Sequence, residues 1–211
     1  MAERRNGVPV FNILTVDRHR LVTDGEGVTT LVALAGCPLK CEYCINSDIL
    51  SGRKAVPCSP EKLLEKAMID YCYFSATGGG VTFGGGESML HCEAIAEFIA
   101  IKPDDVAVIV ETSLNHDAEM IGSVLEGANE LIIDIKSMNP EIYKKYTGRD
   151  NTLTLKWLNY ILEHNLQGKC TIKVPNIPKY TTADDVEASV QTLKDMGFEK
   201  IRVFDYLIKK E

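Results

Sequence analysis

Short apolar runs alternate with helix-period segments along most of the chain, and no other feature restricts the fold as strongly. Strands are expected at 30–35, 81–83, 106–111, 131–136, 171–174 and 201–205. Each run is compact and rich in apolar or β-branched side chains, as in strands buried on both faces of a parallel sheet. The segments between them read as helices. Ser59 is placed to cap a helix that takes Pro60 in its first turn and lines up Leu63, Leu64, Ala67, Met68 and Tyr71 on one face. A second helix is expected over 89–100, and a third from a cap at Asn115 through 126. Leu155, Leu158 and Leu162 mark a fourth, punctuated afterwards by Gly168. Thr182 and Asp185 form a capping box before Val186, Val190 and Leu193, and Gly197 closes that helix. Six such units, the last strand followed only by 207–211, predict an α/β fold with a parallel sheet and right-handed crossovers. Six strands fall short of a closed eight-strand barrel. An open doubly wound sheet and a partial, curved barrel both fit, and both place their chemistry at the carboxyl ends of the strands.

Composition narrows the classes. The 211 residues suit one domain over 1–211, and 45% hydrophobic with 25% charged residues excludes a disordered chain, a collagen or a coiled coil. Acidic residues outnumber basic ones, 30 to 23, and no Lys/Arg block occurs, so no nucleic-acid partner is expected. The longest uncharged run, 71–86, carries six glycines and does not suit a membrane span, so no membrane association is expected. Residues 1–10 have arginines without an apolar stretch behind them, which gives no secretory signal and a cytoplasmic address by default. Of seven cysteines, three crowd into eight residues; Cys58, Cys72, Cys92 and Cys170 are scattered and read as ordinary packing.

The crowded three follow the first expected strand directly: Gly36-Cys37-Pro-Leu-Lys-Cys41-Glu-Tyr-Cys44, a Cys-x3-Cys-x2-Cys spacing. Three thiolates this close can each hold one iron of a cubane cluster and leave a fourth iron free for a small molecule. Two simpler readings compete. The same positions share one helix face and suit a buried stripe. A zinc site is also possible, but it wants a fourth ligand and the four histidines are remote in sequence. Gly36 and Pro38 bracketing Cys37 at a strand end favour a loop, and with it the cluster.

A glycine turn, Gly84-Gly85-Gly86-Glu87-Ser88, follows the second strand. Such a turn is either a tight strand–helix connection or an exposed row of backbone N–H groups. A phosphate loop would continue with Lys-Ser/Thr, whereas Glu87 suits a cationic ligand group. The third strand ends in Glu111-Thr112-Ser113 and the fourth in Asp134-Ile135-Lys136, with Asp134 and Lys136 on one strand face. On their own these last two read more readily as a surface ion pair.

Taken together, the cysteine spacing with Tyr43 before its last cysteine resembles the signature of the radical SAM superfamily. The resemblance implies a partial (β/α)6 barrel whose [4Fe-4S] cluster is held by Cys37, Cys41 and Cys44, with S-adenosyl-L-methionine on the fourth iron. It implies Tyr43 near the adenine and Gly85, Gly86 and Glu87 as the family's Gly-Gly-Glu turn, which meets the methionine amino group. Thr112 lies on the same rim. Asp134-Ile-Lys136, then Met138 and Thr147-Gly148, resembles the activating enzymes of glycyl radical enzymes; Asp134 and Lys136 would contact S-adenosylmethionine, Lys136 at its carboxylate. Lys173-Val174-Pro175 resembles the strand bordering the adenine, with Val174 as its contact. The implied chemistry is reductive cleavage to a 5′-deoxyadenosyl radical, which takes a hydrogen from a glycine Cα of a partner protein. A monomer is expected, served by a low-potential donor such as flavodoxin or ferredoxin. The alternatives are modification of another peptide or small molecule, or a non-catalytic zinc or cluster module. The resemblance spans about residues 20–206. Departures are Gly84 and Ser88 around the glycine turn, Asp24-Gly-Glu-Gly-Val-Thr29 for an Asp-Gly-Pro-Gly-Ile-Arg pattern, the lack of a ferredoxin insert, and Asp205-Tyr206-Leu207 for Pro-Tyr-His.

Overall fold

The computed structural model describes residues 4–5, 7–21, 23–48, 50 and 54–206. Its strands are β1 (Arg4–Arg5), β2 (Val8–Pro9), β3 (Phe11–Leu21), β4 (Val28–Leu34), β5 (Val56–Cys58), β6 (Gly80–Gly84), β7 (Ala107–Thr112), β8 (Glu130–Asp134), β9 (Cys170–Asn176) and β10 (Ile201–Asp205). Its helices are α1 (Pro60–Ala67), α2 (Tyr71–Thr77), α3 (Cys92–Ile101), α4 (Ile121–Gly127), α5 (Pro140–Thr147), α6 (Thr152–Glu163) and α7 (Ala183–Asp195). The main sheet has the order β10-β9-β8-β7-β6-β4-β3-β5. From β4 to β10 all neighbours are parallel. These six strands lie side by side in chain order, with no reversal. A doubly wound sheet reverses its order at a switch point, so the open alternative is excluded. What forms is the arc of a barrel, left open between β10 and the antiparallel β3 and β5.

The two faces of the arc differ. Val32, Phe83, Val108, Val110, Leu131, Ile133 and Ile172 point toward the helices and are fully buried in one hydrophobic cluster. Each such side chain contributes about 1.5–3 kcal/mol of burial. Register puts Thr82, Ile109, Glu130 and Thr171 on the other, concave face. At the amino ends of the strands the 24–27 loop plugs this face. Thr82 Oγ1 donates to the Asp24 carbonyl, and the Cα of Gly25 packs against Ile109. The Asp24-Gly-Glu-Gly segment therefore lies at the opposite end of the arc from the cysteine loop.

Several local expectations change. Strands β3 and β5 were not anticipated. β3 carries Asp17, Arg18, His19 and Arg20 in succession, a polar run that hides its pairing with β4. The first helix stops at Ala67 and resumes at Tyr71 after a 3-10 turn, because Asp70 turns inward to meet Arg18 and Thr30. Ser88–His91 is 3-10 and the α-helix begins at Cys92. Asn115 caps nothing: it is buried and donates to Asp150 O and the Tyr143 hydroxyl, while α4 starts six residues later. Helix α5 was missed. The Thr182–Asp185 capping box forms as expected. No described helix is long and apolar enough to cross a membrane.

Candidate functional site

The carboxyl ends of β4 to β10 surround one cavity of about 350 Å³. Its walls combine the 37–46 loop, the 85–87 turn, Glu111 to Ser113, Asp134, Lys136, Lys173 and Phe204 to Tyr206. That volume is in the range of small-molecule sites.

The cysteine loop leaves β4 at Gly36 as an irregular segment, not a helix, so the buried-stripe reading fails. Cys37, Cys41 and Cys44 are all partly accessible and all line the cavity. Burial pushes the Cys37 thiol up to about 12 and the Cys41 thiol up to about 11, the latter opposed by Lys136. Iron at these thiols would supply the positive charge that burial otherwise denies their thiolate forms. Among the described residues no three His, Cys, Asp or Glu are gathered to hold a single metal ion. A cubane asks for a looser set, because each thiolate takes a different iron.

The glycine turn is sewn to this loop by backbone and side chain. Gly86 N donates to Leu34 O at 3.1 Å and Glu87 N to Gly36 O at 2.9 Å. Asn46 Nδ2 donates to Gly85 O at 2.8 Å. Gly85 has φ +86°, and a Cβ on Gly86 would fall 2.2 Å from Gly36 O, so the turn passes too close for any side chain. Glu87 faces inward, 1% exposed. Its carboxylate accepts from Met89 N, Thr112 Oγ1, Ser113 N and Ser113 Oγ. Its side chain thus brackets the ends of β6 and β7, and leaves the backbone of 85–86 to face the cavity.

On the far wall Lys136 Nζ donates to Asp134 Oδ2 and, at 2.9 Å, to the Tyr206 hydroxyl. Burial works against the Lys136 ammonium, but Asp134, Tyr206 and Cys41 outweigh it and hold its pKa well above the usual lysine value. Asp134 Oδ1 is buried without a partner, a carboxylate oxygen left for a donor in the cavity. Deeper in, burial raises the Glu111 carboxyl, opposed by Lys173 at 3.4 Å. Tyr43 packs against Tyr146, Tyr180 and Tyr206 with ring centroids 6.2–6.3 Å apart.

The structure therefore gathers Cys37, Cys41, Cys44, Tyr43, Gly85, Gly86, Glu87, Thr112, Asp134 and Lys136 around one space. It does not bring Val174 there. Val174 is 1% exposed and packs in the helix-facing cluster, while its neighbour Lys173 faces the cavity. Alternation along β9 dictates this, since adjacent residues point to opposite faces. Sequence reasoning passed over Asn46, whose role depends on a contact 39 residues away. It also passed over Tyr146 and Tyr180, which carry no motif.

Comparison with known proteins identifies the family and the fold. The family model described as the radical SAM superfamily matches residues 31–205. The pyruvate formate-lyase 1-activating enzyme of Escherichia coli strain K12 is 29% identical over 188 residues, covering 87% of this chain and 76% of that protein. The (2S)-3-sulfopropanediol dehydratase activating enzyme of Klebsiella oxytoca is 26% identical, covering 91% of this chain and 82% of its own. Among solved structures, Streptococcus suis SuiB bound to the precursor peptide SuiA shares the fold with a TM-score of 0.64 at 11% identity. That match covers 84% of this chain and 38% of SuiB, so the chain spans well under half of that protein. Coproporphyrinogen III oxidase from Escherichia coli gives a TM-score of 0.56 at 12% identity, covering 93% of this chain and 51% of the oxidase.

Proposed function

The chain belongs to the radical SAM superfamily, an enzyme family that uses a [4Fe-4S] cluster and S-adenosylmethionine, and from that premise we propose that it activates a partner glycyl radical enzyme. The observation that carries the proposal is the convergence of three strand-end features on one cavity: the 37–44 cysteine loop, the bare backbone of 85–86, and the Asp134–Lys136 pair. The similarity to two glycyl radical activating enzymes over most of the chain supports the activase role. When bound, the cluster and S-adenosylmethionine would supply one-electron radical chemistry directed at a glycine Cα–H bond of the partner.

The protein's residues bind and orient. Cys37, Cys41 and Cys44 would hold three irons and leave the fourth to the cavity. The Gly85–Gly86 backbone and the free Asp134 oxygen suit an ammonium group, and the Lys136 ammonium suits a carboxylate. Tyr43 offers an aromatic edge for the nucleobase. Thr112 stays committed to Glu87 and acts by fixing the rim. Leu39, Ile132, Phe204 and the ring of Tyr43 give the wall an apolar share beside its charged and polar groups, which limits the water around a reactive species. We place the protein in the cytoplasm as a single catalytic unit.

The test is anaerobic reconstitution with iron and sulfide, followed by S-adenosylmethionine, a reductant and candidate glycyl radical enzymes. A glycine-centred doublet in the electron paramagnetic resonance spectrum is expected. Formation of 5′-deoxyadenosine without a doublet on any candidate would move the substrate to another peptide or small molecule. A protein that binds no iron, or that keeps its cluster after Cys41→Ala, would overturn the proposal.

A further inference from the structure

The cysteine loop has two sides. Cys37, Leu39 and Cys41 face the cavity, whereas Lys40 points away from it and is exposed. On that outer side the loop is tied to the end of α5. Lys40 N donates to Thr147 O at 2.8 Å, and Arg149 Nε to Pro38 O at 3.4 Å. These contacts assemble exposed cations from separate parts of the chain: Lys40 from the loop, Lys144 and Lys145 from α5, and Arg149 just after it. Lys145 Nζ sits 5.6 Å over the Tyr180 ring, which brings exposed Lys179 alongside.

None of these five cations forms an ion pair with a described carboxylate. The carboxylates on the same segments are Glu42, Glu141 and Asp150. Glu42 accepts from the Tyr180 hydroxyl, and Asp150 from the backbone N–H of Thr152. The patch is therefore net positive on a chain whose formal charge is −7. Lys179 and Lys144 act at longer range on Glu42 and Asp150, which leaves Lys40, Lys145 and Arg149 as the centre of a cationic face that can steer a partner of opposite charge.

Its location decides the partner. Pro38, Leu39 and Lys40 link two of the three cluster-type cysteines, so the patch flanks the metal loop, and none of its five cations lines the cavity. A macromolecule here would be close to the cluster without blocking access of a second protein to the cavity. We propose that this face, centred on Lys40, Lys145 and Arg149, docks an acidic low-potential one-electron carrier protein that reduces the cluster. The inference rests on the cluster assignment above. In the step itself one electron passes from the reduced carrier to the oxidised cluster; no bond is made or broken.

The test uses the reconstituted holoenzyme, with flavodoxin hydroquinone as the probe and photoreduced deazaflavin as a small neutral comparison. Cluster bleaching is followed by stopped-flow absorbance. In the wild type, the flavodoxin-driven rate should fall steeply with added salt, and the triple variant Lys40→Glu, Lys145→Glu, Arg149→Glu should slow it by about tenfold or more at low salt. Deazaflavin should reduce both proteins at the same rate. Because Arg149 touches the loop backbone, the single variant Lys144→Glu, whose side chain makes no described hydrogen bond, serves as a second probe with a smaller slowing of about threefold. A flavodoxin rate indifferent to salt and to both variants would overturn the docking face while leaving the cluster intact. Failure of deazaflavin to bleach the wild-type protein would instead remove the cluster assignment, and the docking proposal with it.

Discussion

Asn46 and Gly85 are joined by a 2.8 Å hydrogen bond from the asparagine amide to the glycine carbonyl. The bond closes a ring. Residues 34–36 already hold 86–87 through the backbone, and Asn46 fastens the opposite end of the cysteine loop, just past Cys44, to the same turn. Replacing Asn46 with Ala should leave the fold intact, since the side chain is only half-buried. It should let the third cysteine drift from the turn. We expect S-adenosylmethionine affinity to fall about fivefold to tenfold, the worth of one hydrogen bond near a charged ligand. Calorimetric titration of the reconstituted protein reads this directly, and an unchanged affinity would show that the ring does not position the site.

Glu87 makes the sharper prediction about stability. Four donors converge on a carboxylate that is almost wholly buried. Glu87→Ala strands those donors without water, at about 1–3 kcal/mol for each that stays unsatisfied, so a total loss of about 3 kcal/mol or more is expected. Urea unfolding that gives a stability loss below about 1 kcal/mol would mean the rim relaxes freely. The family resemblance reads this glutamate as part of a ligand-binding turn; its side chain serves the protein, and the proposed ligand contact falls to its backbone neighbours.

The contrast bears on how much a sequence can disclose. The six parallel strands were legible because both of their faces are covered in places, leaving runs such as 106–110 and 131–133 with hardly a polar residue. The cysteine loop at the cavity was legible because its three thiols are local in sequence. β3 was not, because four of its outer residues are polar and its pairing is antiparallel at the arc's edge. Nor were Asn46, Tyr146 and Tyr180, whose positions are set by packing between distant segments. Val174 shows the converse error: a motif locates a strand end, but the two-residue period decides which side chain faces the cavity, and here it is Lys173.

Asp70 links stability to pH. Arg18 donates twice to its carboxylate, and Thr30 and His19 also reach it. The Arg18 guanidinium holds the Asp70 carboxyl below its usual range, against the opposing effect of burial. A carboxyl depressed in the folded state stabilises the fold fully above its unfolded pKa of about 3.9. That stability disappears as the pH falls through the lower folded-state value. Wild-type protein should therefore be more stable than Asp70→Asn near neutrality, with the gap closing as the pH falls below about 4. Urea unfolding followed by circular dichroism across that range is the measurement. A gap that stays constant down to strong acid would mean the pair contributes through shape alone.

Gly86 tests whether the two loops truly touch. A methyl group there would lie 2.2 Å from Gly36 O and 2.8 Å from Leu34 O, both backbone atoms that cannot rotate aside. Gly86→Ala must therefore part the glycine turn from the end of β4, breaking or lengthening the Gly86 N to Leu34 O and Glu87 N to Gly36 O bonds. Overpacking of this kind costs about 1–3 kcal/mol, and the displaced backbone would no longer face the cavity correctly. Gly168→Ala is the matched control, because nothing lies within 4 Å of its added methyl and its backbone is not left-handed. The control should keep wild-type stability and S-adenosylmethionine affinity, while Gly86→Ala should lower the melting temperature by several degrees and weaken binding by more than about tenfold. Equal behaviour of the two variants would mean the turn stands off from β4, and the cavity would lose the wall on which the proposed ligand geometry depends.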